Sequence, residues 1–297
     1  VPRIVFCGAG APFAYPVLRA LAERFTIVAV VRPARRRREA VRARVRRWAG
    51  HVARGLGLPV GDPVAVFARR FGIPCWDVGR NDPMLAERIT DVRADLLCVA
   101  GYAWLLPRTV YMLPPRGAIN LHASLLPRHR GPAPHFWTYH SDDREAGVTV
   151  HRVAEGADTG AILAQRARPL PRGFPVRELQ RLLASDGADL LVDAVTAIAE
   201  HRERERPQDE TRATAAPRVP VGTPVIDHAA WEVERVWHFL AGLHPHWPEL
   251  RDERGGLVRY RRVVGYELVA HGEAPGLTRR VADGWELYSR GGIVRLG

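Results

Sequence analysis

Short continuous apolar runs alternate along the first half of the chain with segments whose apolar residues return every three or four positions. These are the signatures of buried strands and amphipathic helices. Arg3–Cys7, Phe25–Val31, Ile73–Val78 and Asp95–Ala100 read as strands. Helices are predicted around Val17, Leu18, Leu21 and Ala22, over Pro63–Arg70 and over Met84–Asp91. Such alternation predicts a parallel, doubly wound sheet with sites at the C-terminal strand ends. Ala118–His122 then changes register: aliphatic and polar residues alternate, which places Asn120 and His122 on one strand face. A Gly-Pro-Ala-Pro break at 131–134 leads into a helix, Gly147–Val153 forms another strand, and Glu155–Gly160 a turn.

One long helix is predicted from Pro175 to His201, with Leu179, Leu182, Leu183, Leu190, Leu191 and Ile198 on one side. A polar, proline-punctuated stretch follows. Beyond it come a helix over Trp231–Leu240 and strands at Leu257–Val264, Glu267–Ala270, Trp285–Tyr288 and Gly292–Leu296, a small barrel-like pattern. The expected fold is α/β, a Rossmann-like doubly wound and mostly parallel sheet followed by a small β-rich, OB-like C-terminal domain. The expected division is 1–205 for a catalytic domain, 206–218 for a linker and 219–297 for the C-terminal domain.

Composition changes this picture little. The 297 residues are 46% apolar and 26% charged, ordinary for a globular protein. No apolar run approaches the ~20 residues that span a bilayer, and the N-terminus enters a strand without signal-peptide architecture. A cytoplasmic chain with no membrane partner is expected. Cys7, Cys75 and Cys98 sit in apolar, strand-like settings and read as small buried hydrophobes. The formal net charge of +12 comes entirely from arginine, since the chain has no lysine, and charge alone identifies no partner. Arg32 to Arg54 holds ten arginines against the single acid Glu39, with Val41, Val45 and Trp48 at helical spacing. It reads either as an electropositive arm for RNA or phosphate, or as a solvated surface helix. Gly8-Ala9-Gly10 lacks the third glycine of a dinucleotide fingerprint, and Arg32 stands where a ribose-binding acid belongs, so NAD binding is not expected.

Candidate chemistry concentrates between Gly117 and Leu163. Asn120, His122 and the glycine-flanked Asp158 could form one site, although each alone is more often a structural group than a catalyst. His122, His129, His135 and His140 show no metal-ligand spacing, and no metal is expected.

Three ordered blocks, Asn120-x-His122-x-Ser124-Leu125-Leu126-Pro127, Gly147-Val148-Thr149 and Asp158-Thr159-Gly160, resemble the formyltransferases that use 10-formyltetrahydrofolate. The resemblance implies catalytic roles for Asn120, His122 and Asp158. It also implies a folate pocket lined by Tyr102, Trp104, Leu105 and Leu106, closed by Val153, Ala154, Glu155 and Gly156. A primary amine would attack the formyl carbon, Asn120 and His122 would face the oxyanion, and His122, protonated beside Asp158, would relay the proton.

For the acceptor, His135-Phe136-Trp137 and His151 resemble enzymes acting on a small-molecule amine, such as an amino sugar or natural-product intermediate. That acceptor is the first expectation. Chain length, the two-domain layout and the Arg35–Arg54 segment resemble methionyl-tRNA formyltransferase, the alternative, with tRNA bound through that arm. Pro207-Gln208-Asp209-Glu210 resembles the joint between the two domains in the formyltransferases generally. Gly8-Ala9-Gly10 departs from the Gly-Thr-Pro usual there, and His228 replaces the usual tryptophan after Asp227. A non-catalytic basic RNA-binding protein is the remote third class.

Overall fold

The computed structural model describes residues 1–10, 12–34, 61–220, 222–245, 249–252 and 254–297. The arginine-rich segment expected over Arg35–Arg54 lies outside them. The chain forms two compact units. One comprises Val1–Arg130, Gly147–Ala167 and Gln180–Thr214; the other comprises Gly131–Ala146, Arg168–Leu179 and Ala215–Gly297.

The first unit is built on a seven-stranded sheet ordered β3-β2-β1-β4-β5-β6-β7. Its strands are β1 (Arg3–Cys7), β2 (Thr26–Pro33), β3 (Cys75–Val78), β4 (Leu96–Ala100), β5 (Ala118–His122), β6 (Glu145–Arg152) and β7 (Ile162–Pro169). The first five pair in parallel, and β6 runs antiparallel to β5. Strand order reverses beside β1, as the alternating pattern predicts for a doubly wound sheet. β1 and β4 are continuously apolar because both faces are covered. Val5, Cys7, Ala29, Val31, Leu97 and Val99 project to one side. There they join Leu85 and Ile89 of α3 (Leu85–Asp91) and Val110 of the short α4 (Arg108–Tyr111).

Helix termini follow local chemistry. In α2 (Pro63–Arg70), Asp62 caps the first turn by accepting from Val64 N at 2.9 Å, and Pro63 occupies the first turn, where no amide donor is needed. α1 (Ala14–Arg24) buries Ala14, Val17, Leu18 and Leu21, a single stripe. The long helix is α6 (Val176–Ala199), with Leu179, Leu183, Leu191, Val195 and Ile198 buried. Leu182, expected on that side, turns outward and is 40% exposed. Gly187 lies within the continuous α6, where a Cβ would meet Leu121 Cδ2 at 2.6 Å. The glycine lets the helix lie close over β5.

The second unit contains α5 (Pro134–His140), α7 (Val233–Leu243) and an antiparallel sheet ordered β8-β11-β10-β9. Its strands are β8 (Val263–Leu268), β9 (Thr278–Val281), β10 (Gly284–Ser289) and β11 (Gly292–Leu296). β8 spans the gap between two separately predicted runs, and β7 and β9 were absent from the apolar pattern. Arg166 on β7 and Arg279 and Arg280 on β9 break that pattern at sheet edges, where polar side chains reach solvent, and Gln165 on β7 breaks it by bonding inward to Leu126 O and Thr149 Oγ1. Arg279 and Arg280 lie over the rings of Tyr288 and Trp285, 5.2 and 5.4 Å from the centroids.

His238 of α7 is fully buried, stacks on Tyr139 and accepts from Gly173 N at 2.8 Å. Burial, reinforced by Arg172, lowers its pKa to about 4. The unfolded chain protonates this histidine near its ordinary 6.5 while the folded chain does not. Its contribution therefore favours folding above that pH and is lost as pH falls from 6.5 toward 4. His238→Gln, which keeps an acceptor, should shrink the stability drop between about pH 7.5 and about pH 5 by about 2 kcal/mol in urea unfolding.

Candidate functional site

The site forms in the first unit where β5 and β6 meet. Asn120 lies opposite His151, and His122 lies opposite Thr149. Cross-strand partners share a sheet face, so period-two alternation on both strands gathers these four side chains on one side. The turn between β6 and β7 returns Asp158 to the same face. Asn120 Nδ2 stands 3.2 Å from Asp158 Oδ1 and 3.0 Å from His151 Nε2. His122 Nδ1 stands 3.5 Å from Asp158 Oδ2, and His151 Nε2 stands 3.4 Å from Oδ1. The three residues predicted as catalytic are thus brought together, and His151 joins them.

Hydrogen positions follow from the acceptors. The Arg152 carbonyl can only accept, so His151 Nδ1 donates to it at 2.7 Å and Nε2 is left to accept from Asn120. Both Asn120 amide hydrogens are engaged, one by His151 and one by Asp158. On the other ring, His122 Nε2 donates to the His129 carbonyl at 2.8 Å. Burial lowers the His122 pKa, and the opposing pull of Asp158 and the His129 carbonyl does not make up the difference. At neutral pH the ring is uncharged, with a lone pair on Nδ1 facing Asp158. Desolvation thus outweighs the neighbouring carboxylate in setting the direction of the shift.

Local backbone geometry makes this placement possible. Asp158 has φ +56, a left-handed conformation that Asp and Asn adopt more readily than most residues. Gly160 has no alternative, since a Cβ there would lie 1.9 Å from the Arg152 carbonyl oxygen. Arg152 N, bonded to Ala161 O at 2.9 Å, closes the turn. Thr149, fully buried, holds the preceding loop. Its hydroxyl donates to Ser124 O at 2.7 Å and accepts from Leu126 N at 3.1 Å and Gln165 Nε2 at 2.9 Å. Ser124 Oγ in turn donates to Arg128 O at 2.7 Å, and His129 N to Thr214 Oγ1 at 2.8 Å. The Ser-Leu-Leu-Pro and Gly-Val-Thr blocks thus fix the carbonyl that anchors His122.

The expected pocket walls are unequally placed. Tyr102, Leu106 and Val153 share the apolar cluster on one face of the sheet, Leu106 as a buried member. Trp104, Leu105, Ala154, Glu155 and Gly156 stand outside that cluster. Leu105 is 62% exposed, and Trp104 is half-buried with a buried indole nitrogen that has no hydrogen-bond partner. Ala154 is half-buried, while Glu155 and Gly156 are exposed. Among the described residues, no three His, Cys, Asp or Glu side chains are grouped as a metal site, and no helix is long and apolar enough to cross a membrane. Thr149 as a polar anchor escaped the sequence reading, although its alternation with His151 along Gly147–Val153 was the available signal.

Residues 50–195 match the family model described as formyl transferase. Methionyl-tRNA formyltransferase of Syntrophus aciditrophicus (strain SB) is 33% identical over 239 residues, covering 80% of this chain and 76% of that protein. Its counterpart in Roseiflexus sp. (strain RS-1) is 32% identical over 308 residues, covering 99% of this chain and 86% of that protein. Among solved structures, the N-formyltransferase from Helicobacter canadensis, in complex with folinic acid and dTDP-3-aminofucose, superposes with a TM-score of 0.69. It covers 100% of this chain and 99% of that one at 12% identity, a likeness of fold.

Thr149→Val keeps the side-chain shape but strips hydrogen bonds from three polar groups, each worth about 1–3 kcal/mol when left buried and unpaired. Gln165 Nε2 keeps its bond to Leu126 O, so two groups lose their partner and urea denaturation should show a loss of about 2–6 kcal/mol; an unchanged midpoint would contradict the anchoring role.

Proposed function

This chain belongs to the formyl transferase family, and from that membership we propose that it moves a formyl group from 10-formyltetrahydrofolate to a primary amine. The observation that carries the mechanism is the meeting of one carboxylate, Asp158, with Asn120 and His122 in a largely buried site. The amine attacks the formyl carbon and forms a zwitterionic tetrahedral intermediate. His122 Nδ1, uncharged at rest, takes the proton from the new ammonium group, directly or through water. Asp158 stabilises the imidazolium so formed. His122 then delivers the proton to the folate nitrogen as its bond to the formyl carbon breaks, leaving a formamide and tetrahydrofolate. An Asn120 amide hydrogen serves the oxyanion by exchanging its bond to His151 or Asp158. Tyr102, Trp104, Leu105 and Leu106, with Val153, Ala154, Glu155 and Gly156, are assigned to the pteridine pocket. Residues 1–205 carry the catalysis in this proposal, joined through 206–218 to the domain at 219–297.

The relatives favour methionyl-tRNA as acceptor over a small amine, because their names state that substrate across nearly the full length of this chain. A tRNA contact by Arg35–Arg54 rests on its charge, which attracts phosphate without reading sequence. His151 favours the second reading, a small-molecule amine with a place in natural-product biosynthesis, since it sits inside the polar network. Phe136, the other motif cited for that reading, packs in the core of the second unit, its ring 5.6 Å from that of Phe239. Either reading places the chain in the cytoplasm.

Tetrahydrofolate release, followed spectroscopically, should appear with methionine-charged initiator tRNA and stay at background with nucleotide-linked amino sugars. The opposite outcome would establish the small-amine reading. His122→Ala and Asp158→Ala should each slow turnover by about 10²-fold or more. A fully active variant at either position would remove it from the mechanism.

A further inference from the structure

Residues 206–214 run beside the Asp158 turn within the first unit. Arg206 and Ile162 exchange backbone hydrogen bonds of 2.7 and 2.9 Å. Two residues on, the Gln208 side-chain nitrogen donates to both Asp158 O at 2.8 Å and Gly160 O at 2.7 Å. Its oxygen accepts from Arg130 Nε at 3.0 Å and from a terminal Arg130 nitrogen at 2.7 Å. The same guanidinium forms a fork on Glu210, at 2.7 and 2.8 Å, while Arg130 N bonds Thr214 O at 2.8 Å.

We propose that Gln208, held by Arg130, is a positioning residue that fixes the Asp158 turn and so aims its carboxylate at His122 and Asn120. The inference rests on Asp158 acting as assigned above. The chemistry of the contact selects an amide. Two neighbouring carbonyls require two donors from one group, and Arg130 requires an acceptor at the other end of that group. Glutamate supplies no donor, lysine and arginine supply no acceptor, and asparagine is one methylene shorter. Every donor and both lone pairs of Gln208 are used, so its orientation is set from both ends. Asp158 needs such support because its left-handed backbone is held only where surroundings over-determine it. Released from Gln208, the turn can relax and swing the carboxylate away. A misplacement on the order of 1 Å costs about 10²-fold in rate.

The test compares Gln208→Glu, Gln208→Ala, Asp158→Asn and the double variant Gln208→Ala/Asp158→Asn in the full chain. Turnover is measured with the acceptor that supports it in the wild type. Gln208→Glu, nearly isosteric, turns its acceptor oxygen on two carbonyls and should lower kcat about 10- to 100-fold. KM for both substrates should stay within about threefold, because Gln208 touches neither. Gln208→Ala should lower kcat in the wild type but add nothing once Asp158 is Asn, since its action passes through that carboxylate. Hydrogen exchange over residues 153–161 reads the turn without any acceptor and should quicken in Gln208→Ala. Wild-type kcat in both single Gln208 variants, an equal loss in both backgrounds, or unchanged exchange would each overturn the clamp alone. A fully active Asp158→Asn would overturn the catalytic assignment and the clamp with it.

Discussion

A carboxylate drawn into a largely buried site must find partners, and most of the local architecture serves that need. Asp158 is 16% exposed at its side chain and faces an amide and two imidazoles. Of these three groups, the Asn120 amide is the one that offers a hydrogen to the resting acid, since both imidazoles turn a lone pair toward it. A carboxylate buried without donors is costly enough to be expelled or neutralised. The partners come from two strands whose antiparallel register places Asn120 against His151. The turn that delivers the acid depends on Gly160 and on a left-handed backbone that few residues accept.

The same demand shapes the imidazoles. Each histidine ties one ring nitrogen to a backbone carbonyl, His122 to His129 and His151 to Arg152. This leaves the other nitrogen toward the acid and fixes which atom can exchange a proton. Burial holds the His122 pKa below its ordinary value, so in the proposed mechanism the proton it relays is the one released by the attacking amine. A site held this way needs little reorganisation when charge develops.

Part of the arginine content of the described chain is engaged in local ion pairs. Arg152 pairs with Glu203 and Glu205, Arg172 with Asp142 and Glu234, and Arg295 with Glu267 and Glu286. An exposed pair such as Arg295 with Glu267 contributes about 0–1 kcal/mol, while Arg152 and Arg172 are part-buried. These pairs occupy guanidiniums that would otherwise suggest a phosphate-binding face.

The sequence by itself determined the order of β1 to β6 and of α1 to α3, because buried parallel strands and amphipathic helices write their environment into apolar periodicity. It also placed Asn120 and His122 on one face, since a strand's alternation is local. Edge strands β7 and β9 were illegible because their arginines reach solvent and Gln165 serves a tertiary hydrogen-bond network, which leaves no apolar signal. The polar stretch after Glu205 read as linker from composition, yet Gln208 within it makes four hydrogen bonds around the Asp158 turn and Arg130. Those partners lie 48 to 78 residues away, a separation that no local pattern encodes. The charge state of His122 likewise waited on the tertiary structure: a nearby acid is visible in a motif, but the burial that outweighs it is a property of everything packed around the ring.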